Sequence, residues 1–459
     1  MIPVALVGIW AAAQVNAYPA AWYPSSPIDR PAHFFLVVRK GDDGVVRAFI
    51  RNPEANAGAF WGVHDTLPSP KPDGSLVIDK VTMDGRALSF HRATNEELMW
   101  YYPRKTENWT YNVPAQLNDG WRVGTLASSG MNEAPLAGLM QSIISQRDPT
   151  LRSPYIHSIA IARHGKLVLD EYFYGFDPQS THDLRSAGKS VTTLMVGRAI
   201  ADTHAFSPQS RVLDVLGAYR PVKNDDARKE RMTVADLMTM APGFACDDND
   251  DNSPGNEDTM QSQPAGTDWY RYTLNLPMIN DPGNVAYYCS ASINLLGAVV
   301  ATETKKPLTR YFNERFAVPM QFGTYAMWLM PPPASQAYMA GGDYMRPRDF
   351  LKFGQLLLDG GEWNGTQVVD SGWIRESIVP RTAPVNEGDR YGYGWHLLML
   401  SVGGTAYDVV SAGGNGGQLL IVVPKLDLAI MVTAGNYGQF PVWRNFLPQI
   451  TSAAILSCG

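Results

Sequence analysis

Residues 183–192 read DLRSAGKSVT and set a serine, Ser186, three positions before a lysine, Lys189. A serine hydroxyl attacks a carbonyl only when a base takes its proton. Positions i and i+3 of a helix share a face, so the amine comes within reach of the hydroxyl. A lysine serves as that base when burial or nearby positive charge lowers its pKa. The following run, SVTTLMVGRAIAD, sets Val191, Leu194, Met195 and Ala199 on one side of a predicted helix, and that apolar side would bury the amine. A serine at a helix start also meets free N–H groups that stabilise an oxyanion. The competing reading is an N-cap serine followed by a solvated lysine. The chain has no second S-x-x-K.

The stretches around this motif predict its setting. HSIAIARHGKLVLDEYFYG before it reads as two strands turning at His164-Gly165, and PLAGLMQSIIS before that as a helix. Near the end, GGQLLIVVPKLDLAIMVTAG reads as a hairpin turning at Pro424–Asp427, and FPVWRNFLPQITSAAI as a closing helix. Residues 201–345 between them read as helix and loop. The expectation for residues 133–459 is therefore an α/β (α+β) domain, with one antiparallel sheet closed by both ends of the domain, flanked by helices and carrying a helical insert. Residues 1–132 read as a small β-rich N-terminal domain. HFFLVVRKGDDGVVRAFIRN and SLVIDKVTMDGRALSFHR each predict a hairpin, and LASSGMNE (126–133) a linker. The apolar N-terminus has no Lys or Arg before Arg30, so it lacks the positive region of a signal peptide, and Gly8-Ile9-Trp10 suits a first strand. The sequence assigns neither compartment (cytoplasmic, or periplasmic or secreted if that terminus is a processed signal) nor oligomeric state.

Composition narrows the function. Hydrophobic residues make up 45% and charged residues 18%, a globular balance, and the net charge of −6 comes with no basic block. Nucleic acid and anionic membrane are thereby excluded as expected partners, and no apolar run reaches the ~18 residues of a membrane span. Eight scattered histidines and three cysteines without C-x-x-C spacing predict neither a metal site nor a cofactor. The acidic run CDDNDDNSPGNED (246–258) departs from the calcium-loop pattern and reads as a solvated loop over the site. Cys246 opens this loop. Cys246 and Cys289 either pair across the site or remain buried free thiols. Trp269, Tyr270, Tyr287 and Trp395 flank the motifs, as pocket wall or as core.

A second element lies in PGNVAYYCSASINLLG, where Tyr288-Cys289-Ser290 sits between Pro282-Gly283 and Leu295-Leu296-Gly297. A third is SAGGNGGQ, with Ser411-Ala412-Gly413 on a predicted strand whose glycines let a substrate backbone approach. In this order the three elements resemble those of the β-lactamase and penicillin-binding-protein superfamily, and among its members the class C β-lactamases, family VIII carboxylesterases and 6-aminohexanoate-dimer hydrolases. HGKLVLDEYFYGFD, MTVADLMTMAPGF, MRPRDFLKFGQLLLDGG and YGYGWHL strengthen the likeness, which covers roughly residues 135–459.

The resemblance implies a serine hydrolase that cleaves a small-molecule ester, amide or β-lactam through an acyl-enzyme on Ser186. Lys189 would be, or share, the general base, and Tyr288 would relay the proton to the leaving group. Ser290, in place of the family's Asn, would bond the Tyr–Lys network or the substrate. Ser411 and Gly413 would form the substrate strand, with Gly414 N–H, or Asn415 N–H one residue on, as the second oxyanion donor. The cation that relatives carry on this strand is missing, which favours an ester or amide over an anionic β-lactam. A true β-lactamase or DD-peptidase is the alternative of the same chemistry, and a non-hydrolytic penicillin-binding-like sensor the alternative of another class.

Overall fold

The computed structural model describes residues 21–24, 33–40, 46–55, 69–70, 72, 76–83, 86–104, 108–146, 152–385 and 388–459. The expected strand at Gly8–Trp10 lies outside them. The N-terminal part is one antiparallel sheet of β1 (Ala21–Pro24), β2 (Phe35–Lys40), β3 (Val46–Arg51), β4 (Ser69–Pro70), β5 (Leu76–Met83) and β6 (Arg86–Arg92), in the order β3-β2-β1-β6-β5-β4. Both expected hairpins are present, β2 with β3 and β5 with β6.

The 126–133 stretch is packed rather than free. Leu126 and Met131 are buried against the helix α1 (Glu133–Ile144), which Asn132 caps by accepting from Ala134 N–H. Apolar side chains at both ends of the stretch give it a core to join, which a spacer of small residues would lack.

The larger sheet runs β15-β16-β17-β18-β19-β8-β9-β7. Its members are β7 (Arg122–Val123), β8 (Ile156–Arg163), β9 (Lys166–Tyr172), β15 (Arg390–Tyr391), β16 (His396–Val402), β17 (Thr405–Gly414), β18 (Gln418–Val423) and β19 (Leu428–Ala434). Only β7 is parallel to its neighbour. β10 (His182–Asp183), β11 (Tyr325–Met327) and β12 (Asp343–Met345) form a small sheet beside it, and β13 (Glu362–Trp363) and β14 (Thr366–Gln367) a ribbon. β19, from the end of the chain, pairs with β8 from Leu428↔Arg163 to Ala434↔Ile156, so both ends of the domain close one sheet.

Every residue of β8 is buried because both faces of the sheet are covered. Its side chains still alternate by size. Ile159 and Ile161 join a core with α1 and the closing helix α5 (Phe440–Ser457), whereas Ala160 and Ala162 face the other core. That second core contains α2 (Gly188–Thr203), α3 (Ser290–Thr304) and α4 (Pro347–Leu358). Small residues on this face let α4 lie close to the strands. A Cβ on Gly354 would stand 3.0 Å from Ala429 Cβ.

Helix α2 differs from an ordinary surface helix. Val191, Leu194, Met195 and Ala199 are buried as their spacing predicts, but Ser190, Thr192 and Thr193 are buried too. Their hydroxyls donate to the carbonyls of Gly394, Met339 and Tyr393. The helix is thus held on all sides, which fixes the position of its first turn. Gly197 lets Trp373 pack flat on it, and the indole N–H donates to Thr193 O at 3.1 Å. A Cβ at Gly197 would stand 2.3 Å from the ring. Alanine gains about 1 kcal/mol of helix propensity there, but the pinned ring cannot yield, and overpacking costs about 1–3 kcal/mol. Gly197→Ala is therefore expected to lower the chemical-denaturation midpoint. A midpoint equal to or above wild type would show that Trp373 has room to move.

Candidate active site

The nucleophile turn begins where β10 ends. Leu184 N–H donates to Asp343 O on β12, and Arg185 takes a left-handed φ of 49° with its N–H on Asp183 Oδ1. Ser186 follows on a single 3-10 turn, Arg185–Ala187, immediately before α2. Ser186 and Lys189 are therefore neighbours across the junction of a tight turn and a helix, not within one regular helix. A non-glycine residue in left-handed backbone is strained, as turns at functional sites often are, and Ser186 beside it is partly exposed. Two glycines clamp the turn. A Cβ on Gly341 would stand 2.8 Å from Arg185 C, and one on Gly414 2.2 Å from Leu184 O. Only glycine lets the segment before β12 and the end of β17 approach the turn this closely.

Lys189 is 1% exposed. Its Nζ donates to Ser186 Oγ at 2.7 Å and to Ala340 O at 2.7 Å. The solvated-lysine reading is thereby excluded. Nζ also lies 5.0 Å from the centre of the Tyr288 ring. Tyr288, far away in sequence, thus meets the Ser186–Lys189 pair at one place.

Tyr288 stands just before α3, whose N-cap is Cys289. The acidic loop holds this junction. Cys246 and Cys289 form a disulfide. Asp248 N–H donates to Tyr288 O, and Asp248 Oδ2 accepts from Ser290 N–H at 2.7 Å. Its other oxygen accepts from Glu257 N–H, and Glu257 in turn accepts from Tyr338 Oη. The loop is therefore not merely solvated. Burial, with the neighbouring Glu257, pushes the Asp248 carboxyl up to about 6, and Lys189 opposes that rise. Among the described residues no group of His, Cys, Asp and Glu is arranged to hold a metal ion.

Ser290 lies at this junction, but its hydroxyl is buried and has no hydrogen-bond partner among the described residues. Its backbone N–H ties it to the site through Asp248. Ser411 is 4% exposed, and Gly413 and Gly414 end β17. The Asn415 side chain is occupied in accepting from Gly438 N–H. Trp269, Tyr270 and Trp395 are buried in the core rather than set on an open wall.

Three residues escaped the sequence reading. Ala340 contributes only a backbone carbonyl, which carries no sequence signal. Asp248 was hidden among its acidic neighbours. His396 follows the YGYGW run and stacks on Tyr288 with ring centres 6.4 Å apart. Its position after that run was the one available signal.

The disulfide predicts a simple result. Alkylation of the denatured protein is expected to label one cysteine, Cys458, without reductant and all three with it, read by intact mass. Three labels without reductant would rule the bridge out.

The curated 6-aminohexanoate-dimer hydrolase of Paenarthrobacter ureafaciens is 25% identical over 283 residues, 58% of this chain and 69% of that protein. Among solved structures, a Bacillus anthracis protein assigned as a 6-aminohexanoate-dimer hydrolase superposes with a TM-score of 0.55 at 18% identity, over 76% of this chain and 88% of that one. A family VIII carboxylesterase superposes with a TM-score of 0.51 at 18% identity, over 65% and 92%. The β-lactamase family model matches residues 157–441, more than half of the chain, and spans the Ser186 turn, the Tyr288 junction and the end of β17. The chain belongs to the β-lactamase family of serine hydrolases.

Proposed function

We propose that this hydrolase cleaves a small uncharged ester or amide through an acyl-enzyme on Ser186. The 2.7 Å contact between the buried Lys189 amine and Ser186 Oγ carries this reading. Lys189, sharing protons with Tyr288, takes the Ser186 hydroxyl proton as Oγ bonds to the substrate carbonyl carbon. The developing oxyanion receives the N–H groups of Ser186 and Gly414, or of Asn415 one residue further along. Collapse of the adduct breaks the bond to the leaving oxygen or nitrogen, which takes its proton from Tyr288. Water then attacks the acyl-enzyme, with the same groups moving the proton in the opposite sense, and releases the acid. Ser411 and Gly413 line the strand edge along which the acyl part lies, and Ser290 anchors Asp248 through its N–H.

Three substitutions test the roles. Ser186→Ala is expected to abolish turnover while the protein still folds. Lys189→Ala is expected to lower kcat by about 10²–10⁴. Tyr288→Phe is expected to act mainly on kcat, because a proton relay works in the transition state. Turnover that survives in Ser186→Ala would remove Ser186 from its role.

The substrate class follows from charge. The β17 edge bears a neutral hydroxyl at Ser411, where a cation would hold a substrate carboxylate. A charge-assisted bond is worth about 1.5–3 kcal/mol, roughly ten- to hundredfold in rate. Short-acyl p-nitrophenyl esters are accordingly expected to exceed a chromogenic cephalosporin at least ~10-fold in kcat/KM. A cephalosporin that proves the better substrate would make the protein a β-lactamase, and a burst of acylation without turnover would make it a sensor.

A further inference from the structure

The uncharged β17 edge has a second wall. β16 pairs with β17 from Val402↔Thr405 to His396↔Ser411 and no further, so its first residue stands directly across from Ser411. Directly opposed residues of an antiparallel pair project from the same face of the sheet, about 5 Å apart at Cβ. His396 is therefore the side-chain neighbour of Ser411 at the point where β17 runs on, unpaired by β16, through Ala412 to Gly414.

The surroundings of His396 are those of the reacting groups. Its ring stacks on Tyr288 at an interplanar angle of 20°, and Tyr391 meets it edge-on at 5.0 Å. Its Nδ1 lies 3.7 Å from Asp389 Oδ2, and 15% of its side chain is open. Among the described residues, Lys189, Tyr288, Tyr391 and Asp389 are the titratable groups that face it, and of these Lys189 shifts it. Burial and the positive charge of Lys189 hold the imidazole down at about 4, so it is neutral at neutral pH.

We propose that His396 is a specificity-determining residue of this site: it stands one strand over from Ser411, steadies the Tyr288 ring, and presents an uncharged wall to the acyl group. The proposal rests on the esterase or amidase reading above and deepens it. A neutral imidazole admits an uncharged acyl chain and gives a carboxylate nothing to pair with. A fixed cation at the same place would reverse that preference.

The test uses the full chain and two esters of equal acyl length, p-nitrophenyl butyrate and p-nitrophenyl hemisuccinate. Wild type is expected to favour the butyrate. His396→Lys is expected to raise the hemisuccinate-to-butyrate ratio of kcat/KM by about tenfold or more. His396→Gln, neutral and of similar volume, is expected to keep the ratio within about threefold of wild type, a span below one charge-assisted bond. His396→Ala is expected to lower kcat for the butyrate with KM nearly constant, and His396→Phe to recover most of that loss through its flat ring. A folded His396→Lys with an unmoved ratio overturns the proposal. So does a ratio in His396→Gln that rises as far as in the lysine variant, because charge would then not be the cause. Should His396→Lys fail to fold, the glutamine, alanine and phenylalanine results decide. Butyrate hydrolysis that is lost in Ser186→Ala while every His396 variant behaves as wild type defeats only the His396 assignment. Wild-type hydrolysis of neither ester defeats the hydrolytic reading itself.

Discussion

The Lys189 amine has almost no contact with water, and the site depends on how that burial is achieved. A lysine head group inside a protein is costly unless hydrogen-bond acceptors surround it. Here Ser186 Oγ and Ala340 O accept from it, and Tyr288 lies beside it. Helix α2 holds the lysine because its own polar side is pinned to the Gly394, Met339 and Tyr393 carbonyls. The segment that supplies Ala340 runs through Gly341 against the nucleophile turn and into β12, which pairs with β10. The same few contacts therefore bury the base, set the serine and close the small sheet.

The Tyr288 side of the site is secured differently. One covalent bond and a buried carboxylate fasten the acidic loop to the start of α3. Asp248 accepts two backbone N–H groups, which stabilise its charge, while burial and Glu257 oppose it. The loop thus joins three elements, the Tyr288 junction, the Glu257–Tyr338 pair and the disulfide, beside the tyrosine ring that meets both Lys189 and His396.

The N-terminal sheet is fastened to the hydrolase fold by aromatic packing. Trp100 lies over Gly175, where a Cβ would stand 2.7 Å from the indole, and Arg51 sits buried among Tyr101, Tyr155 and Tyr174. His157 donates from Nε2 to Pro53 O and meets His182 on β10 at 2.7 Å. His182 is four residues before the nucleophile. The β-rich segment thus touches, through two histidines, the strand that ends at the catalytic turn.

Much of this was legible in the sequence. Alternation and helical spacing located both hairpins of the N-terminal sheet, the β8–β9 and β18–β19 hairpins and helices α1, α2 and α5, because local periodicity reports which face is buried. The order of the S-x-x-K, Tyr288 and Ser411–Gly413 elements pointed to the family. Sequence could not tell that the 126–133 stretch packs, that Ser190, Thr192 and Thr193 are buried, or that the Ser290 N–H donates to Asp248. Each of those depends on what a distant segment brings to the same place. The residue types able to do the chemistry were fixed by the order of the amino acids. The burial of Lys189, the Cys246–Cys289 bridge and the place of His396 across from Ser411 were decided only by tertiary structure, because pKa, pairing and cross-strand register arise from groups far apart along the chain.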